Sequence, residues 1–413
     1  MKSKAFITWA GRWLSCLVVG TLGALSSPMA DTGIGVFTDS DFYFKGQNVP
    51  KVWVSGFNTS EPIAVDVHIG LVSPSGTVYE YPNWNTNLTP WLRGFRLPEG
   101  FRFPATEVFA ANGIPGGLTL GIWRAAAALT VPGTLNVIAL ETAPFSVLDP
   151  KARAQLLGNV SLDHRQTTFG ADMEASGLFI EGSGDLESLF ALVGSTSDQP
   201  PLEQCELGQI SADVMDLFSL PTLDGGQSLT VSGNQQSVNL PRDPDFAMFG
   251  LIAYVTPDGQ PPTSFYQPGN TYRFQGSGGA DIGPFTVSLA APMPLVLSQP
   301  ALSDPAGHDA SNDLVLKWNG NNGVGNVLVD LWGAETVTLD AFTQAYISCR
   351  FADDGHAVIS AALLTQLLDL QPNGRVDLEV YRFAYTLFDT ESRDLDLGEA
   401  SISAGTLKPM ILQ

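Results

Sequence analysis

Two residues one position apart, Asp66 and His68, are the nearest this sequence comes to a catalytic pair. In the alternating stretch PIAVDVHIGLV both side chains leave the same strand face, where a carboxylate can orient an imidazole for proton transfer. A serine or cysteine aligned with them would complete a nucleophilic triad, but no local motif nominates one. His68, His164, His308 and His356 are all the histidines; none lies in HExxH, and no serine sits in GxSxG. The simpler expectation is a solvated pair on an outer sheet face, with His308 and His356 in surface loops. Carboxylates are plentiful: Asp39 with Asp41, Asp353 with Asp354, and Asp394 with Asp396 fall near turns or on one strand face. None matches the EF-hand register, so ordinary turn aspartates are expected, and a structural calcium is the one cofactor left open. A glycosidase needs two carboxylates across a cleft, and nothing in the linear sequence locates such a pair. No catalytic residue and no metal ligand is assigned.

The aromatic stretch YEYPNWNTNLTPWLRGFRLPEGFRF (79–103) offers a different chemistry. Tyr79 and Tyr81 share a strand face, and Trp84 and Trp91 sit in a long loop rich in Asn, Thr and Pro. Such rings can stack against sugar rings while neighbouring amides orient the hydroxyls, and large aromatics also anchor protein interfaces. The alternative is a loop that folds its tryptophans over the end of a sandwich as packing. Tyr79, Tyr81, Trp84 and Trp91 are the candidate ligand-binding residues, for an extracellular carbohydrate or protein. The glycine-dense FQGSGGADIGPFTVSL (274–289) is no phosphate cradle. It holds no lysine, and it leads through Pro284 into the alternating Phe285, Val287 and Leu289 instead of a helix.

Strands must position these residues. Period-two alternation recurs in QSLTVSG, TYRFQG, PFTVSL, DLVLKW, NVLVDLW and GRVDLEVY, separated by Gly, Pro, Asn and Asp. The expected fold class is all-β, with tandem antiparallel β-sandwich modules of immunoglobulin-like type. VSPSGTV (72–78) and VTPDGQP (255–261) share a Pro-x-Gly turn core. One short helix is expected at SAALLTQLLDLQP, capped by Ser360 and stopped by Pro372, and PATEVFAAN is a candidate for a shorter one. Breaks in the pattern divide the chain into a signal peptide, 1–30, and modules 31–149, 150–297 and 298–413, each long enough for its own core.

Lys2, Lys4 and Arg12 accompany an apolar run over residues 14–25 that is followed by small residues. This reads as a secretory signal cleaved after Ala30 or Ser26, too short for a membrane span of about 20 residues. The mature chain is expected to be soluble and exported, with 17 Lys and Arg against 42 Asp and Glu, a net charge of −25. Such charge repels nucleic acid and anionic lipid, so neither is an expected partner. Two cysteines remain. Cys349 shares a face with Ile347 and Phe351 in AYISCRF, so a buried thiol is expected, while export would permit a disulfide with Cys205.

LDGGQSLTVSG (223–233) and YRFQGSGGADIGPFTVSLAAPMPL (272–295) together resemble a pattern in uncharacterised secreted bacterial proteins with tandem immunoglobulin-like β-sandwich modules. LVLKWNG, YISCRFADDGHAVISAALLTQL and RVDLEVYR are similar to the C-terminal module of that group. IAVDVHIGLVSPSGTVYEY, with IPGGLTLGIWRAAAALTVPG and APFSVL, is similar to another extracellular bacterial module. The resemblance implies sandwiches and export, and it carries over no catalytic residue. The expected function is a non-catalytic binding or interaction protein of the bacterial cell envelope or exterior. The alternatives are a secreted hydrolase with a site assembled from distant loops, and a self-associating structural surface protein.

Overall fold

The computed structural model describes residues 31–413 apart from 41, 47–48, 112–113, 115–116, 150–154, 183–198, 214–220, 249, 258–260, 305, 321–324, 334–335, 338–340 and 393–394. The signal-like segment 1–30, Asp41, Asp394 and the centre of the 255–261 turn therefore lie outside the described residues. Strands dominate, and the chain forms two compact units, one gathering residues 31–38 and 43–149, the other most of 150–413.

In the first unit, Thr32–Thr38, Lys51–Asn58 and Phe101–Ala110 form a three-stranded antiparallel sheet. Ile63–Val72 belongs to a second sheet, paired with Gly121–Thr130 on one side and with the short Val78–Glu80 and Leu92–Leu97 on the other. Val65, Val67, Ile69 and Leu71, on the face expected to point inward, meet Val52, Val54, Trp123 and Phe145 in one core. The two sheets close as a sandwich. PATEVFAAN is not the shorter helix: its residues 104–110 are part of the Phe101–Ala110 strand. So short a segment cannot hold a helix on its own propensity, and pairing with Lys51–Asn58 satisfies its backbone instead.

The second unit is organised by one long sheet, ordered Gln204–Asp213, Ala341–Ala352, Asn326–Gly333, Arg375–Phe388, Leu397–Leu412, Gln155–Thr167, Gly170–Gly182 and Ala253–Val255. Its pairings are antiparallel except where Leu397–Leu412 runs parallel to Gln155–Thr167 and to the short Gly307–His308. A four-stranded sheet (Gln236–Pro241, Ser228–Gly233, Thr271–Gly276, Phe285–Ala290) covers one stretch of it, and a three-stranded sheet (Leu297–Gln299, Leu314–Trp318, His356–Ile359) another. Two cores result. The first joins Val160, Leu162 and Phe179 to Val231, Phe274 and Phe285, and takes Ala400 and Ile402 from the last strand. The second joins Val327, Val329, Ile347 and Leu378 to Leu316 and Ile359, and takes Met410 and Leu412 from that same strand. Segments 150–297 and 298–413 thus share a sheet.

The Ala361–Leu370 helix lies where leucine spacing placed it, with the Ser360 hydroxyl accepting the Leu363 N–H and Leu364 and Leu367 buried. Cys349 is buried as its parity requires, but not as a free thiol: it is disulfide-bonded to Cys205. The reason is register, because the two face each other directly on adjacent antiparallel strands. The glycine run turns the chain between Thr271–Gly276 and Phe285–Ala290 and locks onto the LDGG turn. Asp281 accepts the Asp224 N–H at 2.8 Å, while the Asp224 carbonyl accepts the N–H groups of Asp281 and Ile282. Gly279 allows this approach, since a Cβ there would lie 2.3 Å from Asp224 Oδ1.

Candidate functional site

Three of the four predicted aromatic residues converge. Val78–Glu80 pairs with Gly70–Val72, and beyond it the chain leaves the sheet, so Tyr79 and Tyr81 have different neighbours. Tyr79 stacks on Trp123, with centroids 6.1 Å apart. Tyr81 stacks on Phe109 at 5.0 Å and meets Trp84 and Trp91 edge-on at 5.9 and 6.2 Å. Trp84 also stands edge-on to Phe109 at 4.9 Å and is only 9% exposed. Tyr79, Tyr81 and Trp91 are half-buried. Phe109 is a hub that the linear pattern does not reveal, because PATEVFAAN is also compatible with a short helix; strand geometry is what carries its ring to Tyr81.

Asp66 and His68 are not a solvated pair. Both are buried, because the loops after Val78–Glu80 and Gly121–Thr130 fold over their face of the sheet. Asp66 accepts the backbone N–H groups of Gly133 at 2.8 Å and Gly94 at 2.6 Å, which hold its carboxyl below the usual carboxylate range. His68 turns to a different carboxylate, with Nδ1 on Glu80 Oε1. Among the described residues His68 Nε2 and Glu80 Oε2 have no hydrogen-bond partner, and both residues line a cavity of about 20 Å³ together with Leu88, Ala126 and Ala128. That is room for about one water. Among the described residues, no serine, threonine or cysteine lines it. Elsewhere His164 is buried against the Tyr266 ring at 4.6 Å, and burial lowers its pKa. His308 and His356 lie in the short strands Gly307–His308 and His356–Ile359 rather than in loops.

The second unit holds a polar belt that the sequence did not announce. On the long-sheet face turned away from both cores, register sets Asp330 opposite Glu379 and Ser348, and Tyr381 in line with Gly405 and Arg165. The Tyr381 hydroxyl donates to Asp330 at 2.8 Å. Arg165 reaches across the intervening strand and donates to Glu379 at 2.6 Å. Ser403 and Ser161 donate to Asp163 at 2.6 and 3.1 Å. Burial pushes the Asp330 carboxyl up to about 6, partly opposed by hydrogen bonds from Ser348 and Tyr381. Burial also raises Glu379, with Arg165 pulling the other way. For Arg165 burial works against the charge, but Glu379 and Asp163 outweigh it and raise its pKa. Alternation in NVLVDLW and GRVDLEVY signals which face each residue occupies; it says nothing of which strands become neighbours.

No family model matches the chain, and no curated protein does. Among solved structures, one concerned with host cell surface retention of a 1.5-MDa bacterial ice-binding adhesin is 10% identical over 94% of this chain and 100% of that one, with a TM-score of 0.16. A tetra-tandem repeat in the extending region of a large adhesion protein is 13% identical over 91% and 74%, with a TM-score of 0.18. The B domain of a biofilm associated protein is 8% identical over 92% and 87%, with a TM-score of 0.19. TM-scores this low correspond to no common superposition.

Proposed function

We propose that this chain is an exported, non-catalytic interaction protein of the bacterial cell envelope or exterior, whose first unit recognises an extracellular carbohydrate or protein. The observation that carries the reading is the division of labour in the aromatic cluster. Trp84 is a buried prop, while Tyr81 and Trp91 are only partly buried, their rings held edge to face, a rigid arrangement suited to an anchor. The Cys205–Cys349 disulfide supports an oxidising compartment.

The test is binding of the 31–413 chain to insoluble polysaccharides and to envelope fractions, beside a Trp91→Ala variant. Trp84→Ala is unsuitable, since removing that buried ring costs about 3–5 kcal/mol of stability. Trp91→Ala is expected to fold normally and to bind at least about tenfold more weakly. Equal binding by both proteins, or none by either, sinks the aromatic reading.

One observation favours a second reading, a hydrolase. Asp330 and Glu379 are facing carboxylates, and burial keeps both above the usual range. Hydrolysis of any polysaccharide in the panel, abolished by Asp330→Asn, would establish it.

A further inference from the structure

One row beyond Asp330 and Glu379, on the same face of the long sheet, Trp332, Asp377 and Pro409 stand opposite one another on three neighbouring strands. Arg375 and its cross-strand partner Ile411 continue that face, and Ala306 walls it where its carbonyl accepts the Ile411 N–H. These six residues are among those that line a depression of about 370 Å³, within the size range of small-ligand pockets.

The Trp332 ring is half-buried and braced by Tyr346, with centroids 5.0 Å apart and planes 36° apart. Among the described residues, neither the Arg375 guanidinium nor the Asp377 carboxylate makes a hydrogen bond or ion pair; the contact of Arg375 to Asn373 is through its backbone N–H. Asp377 is exposed, so its acceptor-only carboxylate is open to a hydroxyl from a ligand. A pyranose has an apolar C–H face and a rim of hydroxyls that both donate and accept. A braced indole, an acceptor-only carboxylate and a donor-only guanidinium are its complement. The two charges in the pocket cancel, and the chain around them carries −22, which favours a neutral ligand over an anion.

We propose that this depression is a recognition site of its own, a subsite for one ring of a neutral saccharide. Trp332 stacks on the sugar face, Asp377 accepts from its hydroxyls and Arg375 donates to them. The site lies wholly in the second unit and does not depend on the aromatic cluster of the first.

Calorimetric titration of the 31–413 chain with cellotetraose, maltotetraose, mannotetraose and N-acetylchitotetraose tests it, with glucuronate and glycylglycine as anionic and zwitterionic comparators. At least one neutral tetrasaccharide is expected to bind. Trp332→Ala and Asp377→Asn should each weaken it about tenfold, and Trp332→Phe less. Asp377→Asn changes an exposed position almost isosterically, so it keeps the test readable if Trp332→Ala fails to fold. Absence of tetrasaccharide binding at millimolar concentration, binding indifferent to Asp377→Asn, or tighter binding of either comparator overturns the proposal. Binding lost in Trp91→Ala yet kept in Asp377→Asn overturns it while leaving the first-unit reading intact.

Discussion

Asp330 is a carboxyl folded against its own charge. It is 5% exposed, and its neighbours include a second carboxylate, Glu379. Because its folded pKa, about 6, lies above the ordinary aspartate value of 3.8, the folded state binds a proton that the unfolded state has released between those values. Stability is therefore greatest below the unfolded pKa and falls as pH rises through about 6. We expect a loss on the order of 1–3 kcal/mol across that window, and an Asp330→Asn variant should flatten this limb of the profile. Urea denaturation at pH 4, 5, 6 and 7 measures it; identical slopes for the two proteins would show that Asp330 does not titrate in the window. At the His68–Glu80 dyad too, polar atoms are enclosed by apolar neighbours where a loop closes over them.

Between the two cores of the second unit, elements are joined by a buried ion pair. Arg382, on Arg375–Phe388, donates to Asp353 through Nε at 2.5 Å and through Nη2 at 3.0 Å. Its Nη1 also reaches the carbonyls of Met293 and Pro294 at 3.2 and 3.0 Å, and Nη2 that of Asn319. Trp318 Nε1 donates to the same Asp353 at 2.8 Å. Thus one guanidinium fastens the proline-marked segment before Leu297–Gln299 to the long sheet, and Asp353, unremarkable in RFADDGH, is what orients it. Arg382→Met leaves Asp353 buried and uncompensated and should cost about 3–5 kcal/mol. The double variant Arg382→Met/Asp353→Leu should be more stable than Arg382→Met alone. Chemical denaturation of the set decides it; purely additive losses would mean the pair is not coupled.

For the molecule as a whole, the long sheet carries two cores, and its outer Gln204–Asp213 strand is tied to Ala341–Ala352 by the Cys205–Cys349 bond. The cysteines are 144 residues apart in sequence, so the bond removes much of the freedom of the unfolded chain. Cys205→Ser/Cys349→Ser should lower stability by about 2–5 kcal/mol. Reductant should lower the melting temperature of the natural chain towards that of the variant. A melting temperature unmoved by reductant, with two titratable thiols in the oxidised sample, would show that the bond does not form.

The sequence by itself determined what depends on neighbours along the chain. Ile63–Val72 had its inward face written in its alternation, Ala361–Leu370 had its cap and its stop, and the glycine run had no lysine and no helix to make a phosphate site. Local sterics and a period of two suffice for these. Only the tertiary structure decided which strands lie side by side. Period two assigns a face but not a partner or a register, so Asp330 opposite Glu379, Trp332 beside Asp377 and Cys205 across from Cys349 were not legible before the sheet was assembled. Burial of His68 was hidden for a related reason: it depends on a loop crossing the outer face, and loop paths are fixed by packing rather than by local pattern.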